Sequence, residues 1–232
     1  MHKTIAIIPA GGGSKRLPEK NIMDFFGKSM LERAIDAARK SGCFDKIFVS
    51  TDSQKIAEEA RRCGVTVPFL REEAKDDFAT VSQATVHTLQ QILERQGETF
   101  DIVCQLMPNC PLRTDRDIRD SLDTFEKEKR AFQISCFRFG WMNPYWAVRL
   151  SGDARPEYMF PESKGKRSQD LPPLYCPTGA IWIAGYENLL REKTFYGTDV
   201  RFHEIPWQSA VDIDNHDDLE MAKAVYNLIH AQ

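Results

Sequence analysis

The chain has 232 residues, 42% of them hydrophobic and 10% aromatic, which suits one compact domain with a sizeable core. Its 31 Lys and Arg nearly cancel 34 Asp and Glu, so no whole-chain field recommends nucleic acid or an anionic membrane surface as a partner. No apolar run approaches bilayer-spanning length, no charged-then-apolar leader is visible, and Cys43, Cys63, Cys104, Cys110, Cys136 and Cys176 lack CxxC or Cys/His metal spacing. The expectation is a cytoplasmic protein with reduced thiols.

Residues 3–9 (KTIAIIP) form a β-branched run that reads as a strand buried on both faces. Ser29 with Glu32 makes a capping box ahead of Met30, Leu31, Ala34, Ile35 and Ala38, and Gly42 supplies a stop. A strand at 46–50 completes a βαβ unit. Ser53 can cap a helix through Ile56 and Ala60 that ends at Gly64, and a short strand is expected at 65–69. Val81, Thr85, Leu89 and Ile92 recur at helical spacing, 101–106 (DIVCQL) reads as a buried strand, and Thr114 can cap a helix through Ile118, Leu122 and Phe125.

From about 137 to 178 the rhythm gives way to Pro, Gly and aromatics, an excursion expected to serve as a lid or a dimerisation arm and to contain a hairpin turning at Ser151, Gly152 and Asp153. A strand at 180–184 (AIWIA), another near 201–205 and a last amphipathic helix on Leu219, Ala222, Val225, Tyr226 and Ile229 follow. Alternating strands and helices predict an α/β fold, a Rossmann-like three-layer sandwich around a mostly parallel sheet, within a single domain spanning 1–232.

Directly after the first strand, Ala10, Gly11, Gly12, Gly13, Ser14 and Lys15 open a loop whose glycines let backbone N–H groups approach a phosphate, with Lys15, Arg16 and Lys20 supplying charge. The spacing is neither GxxxxGK[ST] nor GxGxxG, which excludes a Walker loop and argues against a dinucleotide-binding oxidoreductase. Ser14 has no recognisable His and Asp partners, so triad hydrolysis is not expected. Near the other end, Asp212 and Asp214 in SAVDIDNHDDLE alternate along an extended segment, which turns both carboxylates to one face, a suitable pair for Mg²⁺ or Mn²⁺. Alternatively Asp214 or Asn215 caps the final helix while Asp217 and Asp218 complement its dipole, and both roles can coexist.

The run IIPAGGGSKRLPEKN resembles the opening of the acylneuraminate cytidylyltransferases, which include enzymes activating sialic, pseudaminic, legionaminic and ketodeoxyoctulosonic acids. The resemblance continues through VSTD, VPFLR, PNCPLRT, KRSQDLPPLY, PTGAIWI and DIDNHDDLE, in order and over essentially the whole chain. It implies a nucleotide-diphospho-sugar transferase fold, CTP and an acidic sugar as substrates, a divalent metal and a homodimer. It also implies a catalytic group of Arg16, Lys20, Asp212 and Asp214, the last two holding metal. Nucleotide contacts would come from the glycine loop with Asn21, Arg71 and Ser82, and sugar contacts from Met107, Arg167, Gln169, Tyr175 and Thr178. Gly11, Met107 and Thr178 stand where many members carry arginine, glutamine and asparagine, which points to a nonulosonic acceptor other than sialic acid itself. Activation of ketodeoxyoctulosonate or another sugar, and a CTP-binding regulator with impaired catalysis, are the alternatives.

Overall fold

The computed structural model describes residues 2–72 and 80–231. In chain order the elements are β1 (Thr4–Pro9), α1 (Met30–Ser41), β2 (Lys46–Ser50), α2 (Gln54–Arg62), α3 (Val81–Gln96), β3 (Ile102–Gln105), α4 (Asp115–Lys127), β4 (Phe132–Arg138), β5 (Val148–Leu150), β6 (Pro156–Tyr158), β7 (Tyr175–Gly185), α5 (Tyr186–Glu192), β8 (Val200–Glu204) and α6 (His216–His230). Six strands form one sheet in the order β2-β1-β3-β7-β4-β8. Strand β7 runs antiparallel to both neighbours, while β1 pairs in parallel with β2 and β3, and β4 with β8. The sheet is therefore mixed but mostly parallel.

Alternation along β1 explains the layers. Ala6 and Ile8 face a core shared with Leu31 and Ile35 of α1, Ile56 of α2 and Ile118 and Leu122 of α4. Ile5 and Ile7 face the opposite side, with Leu89 and Ile92 of α3 and Leu189 of α5. Every β1 residue is buried, and each fully buried Ile contributes about 1.5–3 kcal/mol of apolar transfer free energy. The expected three-layer α/β sandwich is present.

Local departures have identifiable causes. Strand β4 lies where no strand was expected, because Gln133 and Ser135 interrupt its apolar run. Both polar side chains are buried and satisfied: Gln133 Nε2 donates to the Ser121 carbonyl (2.8 Å), and Ser135 Oγ donates to the Thr178 carbonyl (3.1 Å) and accepts from Ile181 N (3.0 Å). The segment 65–69 is not a strand: Val65 and Val67 plug the α1–α2 side of the core without joining the sheet. The short helix α5 follows β7 without a separate sequence signal. Only half of the capping box at Ser29 forms, since Ser29 Oγ accepts from Glu32 N (3.0 Å) while Glu32 pairs with Arg62 (2.6 Å).

Because β4 runs to Arg138 and β7 begins at Tyr175, the excursion is narrower than 137–178. Phe139 N donates to the Leu174 carbonyl (3.0 Å) and closes its base. The β5–β6 hairpin is antiparallel, with Val148 opposite Tyr158, and every residue of its two strands is exposed.

A third, smaller core decides where function can sit. Leu17, Phe25 and Met30 from the start of the chain pack with Val211, Ile213, Leu219, Ala222 and Val225 from its far end, and with Leu112. Burial of these side chains staples the β1–α1 loop onto the segment entering α6.

Candidate active site

The loop after β1 is held by its own polar contacts. Ala10 N extends the ladder to the Ser50 carbonyl (2.9 Å), Gly12 N donates to Asp52 Oδ1 (2.9 Å), and Asn21 Nδ2 donates to the Gly11 carbonyl (2.9 Å). A Cβ on Gly12 would come within 3.0 Å of Ser53 Cβ, so close approach to α2, not an unusual φ, requires glycine there. Glu19 takes a left-handed φ of 56°, and Lys20–Ile22 then form one 3-10 turn. With Leu17 buried on one side of that bend, Lys20 is turned toward the C-terminal segment.

That segment alternates. Val211 and Ile213 are buried in the third core, while Asp212 and Asp214 point the other way, which meets the single-face expectation although no strand forms there. Asn215 caps α6, accepting from Asp217 N (2.8 Å) and Asp218 N (3.1 Å), and Asp218 Oδ2 accepts from Asp214 N (2.9 Å). Asn215 therefore does the capping, and Asp214 is left for other work.

Two loop cations converge on Asp214. Lys20 Nζ, 194 positions away, lies 2.8 Å from Oδ1, and Arg16 lies 2.6 Å from Oδ2. Desolvation opposes ionisation of Asp214, but its hydrogen bonds and charge attraction to Lys20 and Arg16 hold its carboxyl below the usual range. Asp212 behaves oppositely. Solvent reaches its side chain, yet desolvation by the surrounding protein, followed by repulsion from Asp214, pushes its pKa up to about 6.

Asn109, which the sequence did not single out, also belongs to this cluster. Its Nδ2 donates to Asp212 Oδ1 and lies 3.4 Å from Asp214 Oδ1, while its Oδ1 is buried without a partner. The oxygens gathered at this point belong to two carboxylates drawn together by one neutral amide. That chemistry fits a hard divalent cation such as Mg²⁺.

The remaining candidates are distributed more widely. Arg71 is buried beside the loop, its guanidinium 3.8 Å from where a Gly11 Cβ would stand, with Nη1 donating to Ser50 O (3.1 Å) and Ser50 Oγ (3.0 Å). Burial pulls its pKa down, against attraction from Asp52. Ser82 is turned into the α3 side of the core, where its Oγ accepts from Phe195 N (3.3 Å). Met107 covers Gly179, leaving 3.1 Å between its Cγ and a Cβ placed there. Thr178 Oγ1 is buried and donates to the Ala210 carbonyl (3.2 Å). On the excursion, Arg167 pairs with Asp170 (2.7 and 3.0 Å), and Gln169 and Tyr175 are exposed. Among the described residues, no hydrogen bond joins Arg167, Gln169 or Tyr175 to the Lys20–Asp214 cluster. Asn21 holds the loop itself, and among the described residues no hydrogen bond ties it to the acidic pair.

Residues 5–154 match the family described as Cytidylyltransferase. Over 230 residues the chain is 34% identical to a pseudaminic acid cytidylyltransferase of Campylobacter jejuni, covering 98% of both chains. It is 33% identical to the CMP-N,N'-diacetyllegionaminic acid synthase of Legionella pneumophila, covering 84% of this chain and 83% of that one. Among solved structures, a CMP:2-keto-3-deoxy-manno-octonic acid synthetase complexed with CTP superposes with a TM-score of 0.72 over 98% of this chain and 99% of that chain, at 16% identity, a likeness of fold. With a glycine loop, its cations and a paired acidic motif gathered at the end of a mostly parallel sheet, and with this extent of matching sequence, the chain belongs to the cytidylyltransferase family.

Proposed function

We propose that this protein transfers CMP from CTP to the anomeric hydroxyl of an acidic nonulosonic sugar and releases pyrophosphate. The observation that carries the reading is the meeting of Lys20 and Arg16 with Asp214 across 194 and 198 positions of sequence. Relatives at 33–35% identity named for pseudaminic, N-acylneuraminic and legionaminic acids support the acceptor class.

In the reaction, the sugar oxygen attacks the α-phosphorus in line, the new C–O–P bond forms, the bond to the β-phosphate oxygen breaks, and the hydroxyl proton passes to solvent. Lys20 and Arg16 donate to the triphosphate oxygens and offset charge on the departing pyrophosphate, while the backbone of residues 10–15 lines its path. Asp212 and Asp214 would hold Mg²⁺ or Mn²⁺, which when bound supplies further neutralisation of phosphate charge. Arg71, buried beside Gly11, is a nucleotide-side contact. Met107, Thr178, Tyr175, Arg167 and Gln169, which flank the same end of β3 and β7 or lie on the arm, are assigned to the sugar side.

A second copy of the chain is the occupant we assign to the arm. Trp141 is 82% exposed, Leu150 63% and Met142 60%, and a hairpin with no buried residue in its strands has no core of its own. A CTP-consuming reaction and six free cysteines fit a cytoplasmic setting.

Pyrophosphate release tests the reading. Turnover is expected with CTP and one of sialic, pseudaminic or legionaminic acid, and not with ATP, GTP or UTP. CTP binding without turnover across that panel, ketodeoxyoctulosonate included, would favour a binding regulator instead.

A further inference from the structure

We propose that Asn109 is a positioning residue that fixes the spacing of Asp212 and Asp214 for metal binding, an inference that rests on assigning that pair to a divalent cation. Two like-charged side chains at adjacent outward positions of a loop repel each other and, unaided, splay apart. Asn109 is placed to prevent this with both its main chain and its side chain.

The main chain fixes the register. Asn109 sits in the tight turn after β3, where the Met107 carbonyl accepts from Cys110 N (3.4 Å). Arg113, itself buried, braces that turn by donating from Nη1 to the Met107 carbonyl (3.0 Å) and the Ala180 carbonyl of β7 (2.7 Å). From this rigid base the Asn109 carbonyl accepts from Ile213 N (2.8 Å), the residue between the two aspartates.

The side chain then sets the carboxylates. One Nδ2 group carries two hydrogens and faces Oδ1 of Asp212 and Oδ1 of Asp214 together, so a single neutral donor gathers two oxygens onto one side. Neutrality matters because Lys20 and Arg16 already bring two positive charges to Asp214, and a third cation at position 109 would cancel the field that attracts a metal. The arrangement leaves Oδ1 of Asn109 buried and unpartnered, with the residue only 6% exposed. Such an orphan calls for an explanation, and here it is the consequence of turning the donor end of the amide onto the carboxylates.

The test is Mn²⁺ binding followed by electron paramagnetic resonance of the free ion, in Asn109→Ala, Asn109→Leu and Asn109→Ser, with melting temperature recorded in EDTA. Ala and Leu remove the donor and are expected to weaken Mn²⁺ binding roughly 10- to 100-fold, with melting within a few degrees of the wild type. Ser keeps one donor and is expected to recover part of the affinity. In turnover assays, the Mn²⁺ concentration for half-maximal rate rises while the rate at saturating Mn²⁺ is largely restored. Mn²⁺ affinity within twofold of wild type in a folded Ala or Leu variant overturns the proposal, and so does failure of both variants to fold, which makes Asn109 a structural turn residue. Asp212→Asn is the control: if it leaves Mn²⁺ affinity unchanged, the assignment of the carboxylate pair falls independently of Asn109.

Discussion

Asp214 receives two cations from a loop that begins almost two hundred positions earlier, and its neighbour Asp212 receives none; this asymmetry sets the chemistry of single residues in the site. Replacing Lys20 with Ala removes the charge-assisted donor proposed for the leaving group, and kcat/KM is expected to fall about 10²- to 10³-fold in a continuous pyrophosphate assay. Asp212→Asn should also abolish most turnover, yet its melting temperature in EDTA should equal or exceed that of the wild type, because the change relieves repulsion with Asp214 and desolvation of a charge. A marked loss of stability in that variant would contradict the crowding of the two carboxylates. The convergence of these residues was foreseeable because loop cations behind glycines and an Asp-x-Asp pair have chemical meaning by themselves. Asn109 was not legible. An asparagine two residues before a proline in PNCPLRT reads as a turn former, and only the turn's docking against Ile213 brings its amide to the acids.

Elements with a regular apolar period are legible in the sequence, and a strand whose apolar run is interrupted by polar side chains is not. β1, α1, α3 and α4 follow their periods, whereas β4 hides behind Gln133 and Ser135, whose partners lie in α4 and β7 and are invisible before folding. At 65–69 the relation is reversed, since Val65 and Val67 have strand character but fill the core without joining the sheet. The edge strand β8 carries a consequence for pH. His203 is half-buried, and desolvation, then repulsion by Arg130, outweighs attraction by Asp120, Glu128 and Asp117 and lowers its pKa. The unfolded chain therefore binds the proton more readily than the folded one, so stability from neutral His203 is present above the ordinary histidine pKa of about 6.5 and is lost as pH falls through the folded value. Urea denaturation across pH 5–8 should show this decline, and His203→Gln should flatten it; an identical profile in the variant would remove His203 from the account.

For the whole molecule, the mostly parallel sheet and its helical layers were foreseeable from alternation of strand and helix signals, while the reversal of β7 was not, since an isolated strand carries no direction in its sequence. The arm shows the same limit. Its composition marked it as an excursion, but its boundaries moved inward because β4 and β7 claim the residues at either end. If two copies meet through Trp141, Met142 and Leu150, light scattering on a sizing column should give twice the chain mass, and Trp141→Glu should shift the protein toward a single chain. A single-chain mass for the unaltered protein would leave the arm as a lid.

The small third core has an implication for biogenesis. Leu17 and Phe25 are made early, but the partners that fix them, Val211 through Val225, are made near the close of the described chain. A growing chain on the ribosome thus carries the stretch from Leu17 to Phe25 without its apolar cover, and the meeting of Lys20 with Asp214 waits for the last helix, so a chain cut short before residue 211 would keep most of its sheet and lack the acidic half of the proposed site.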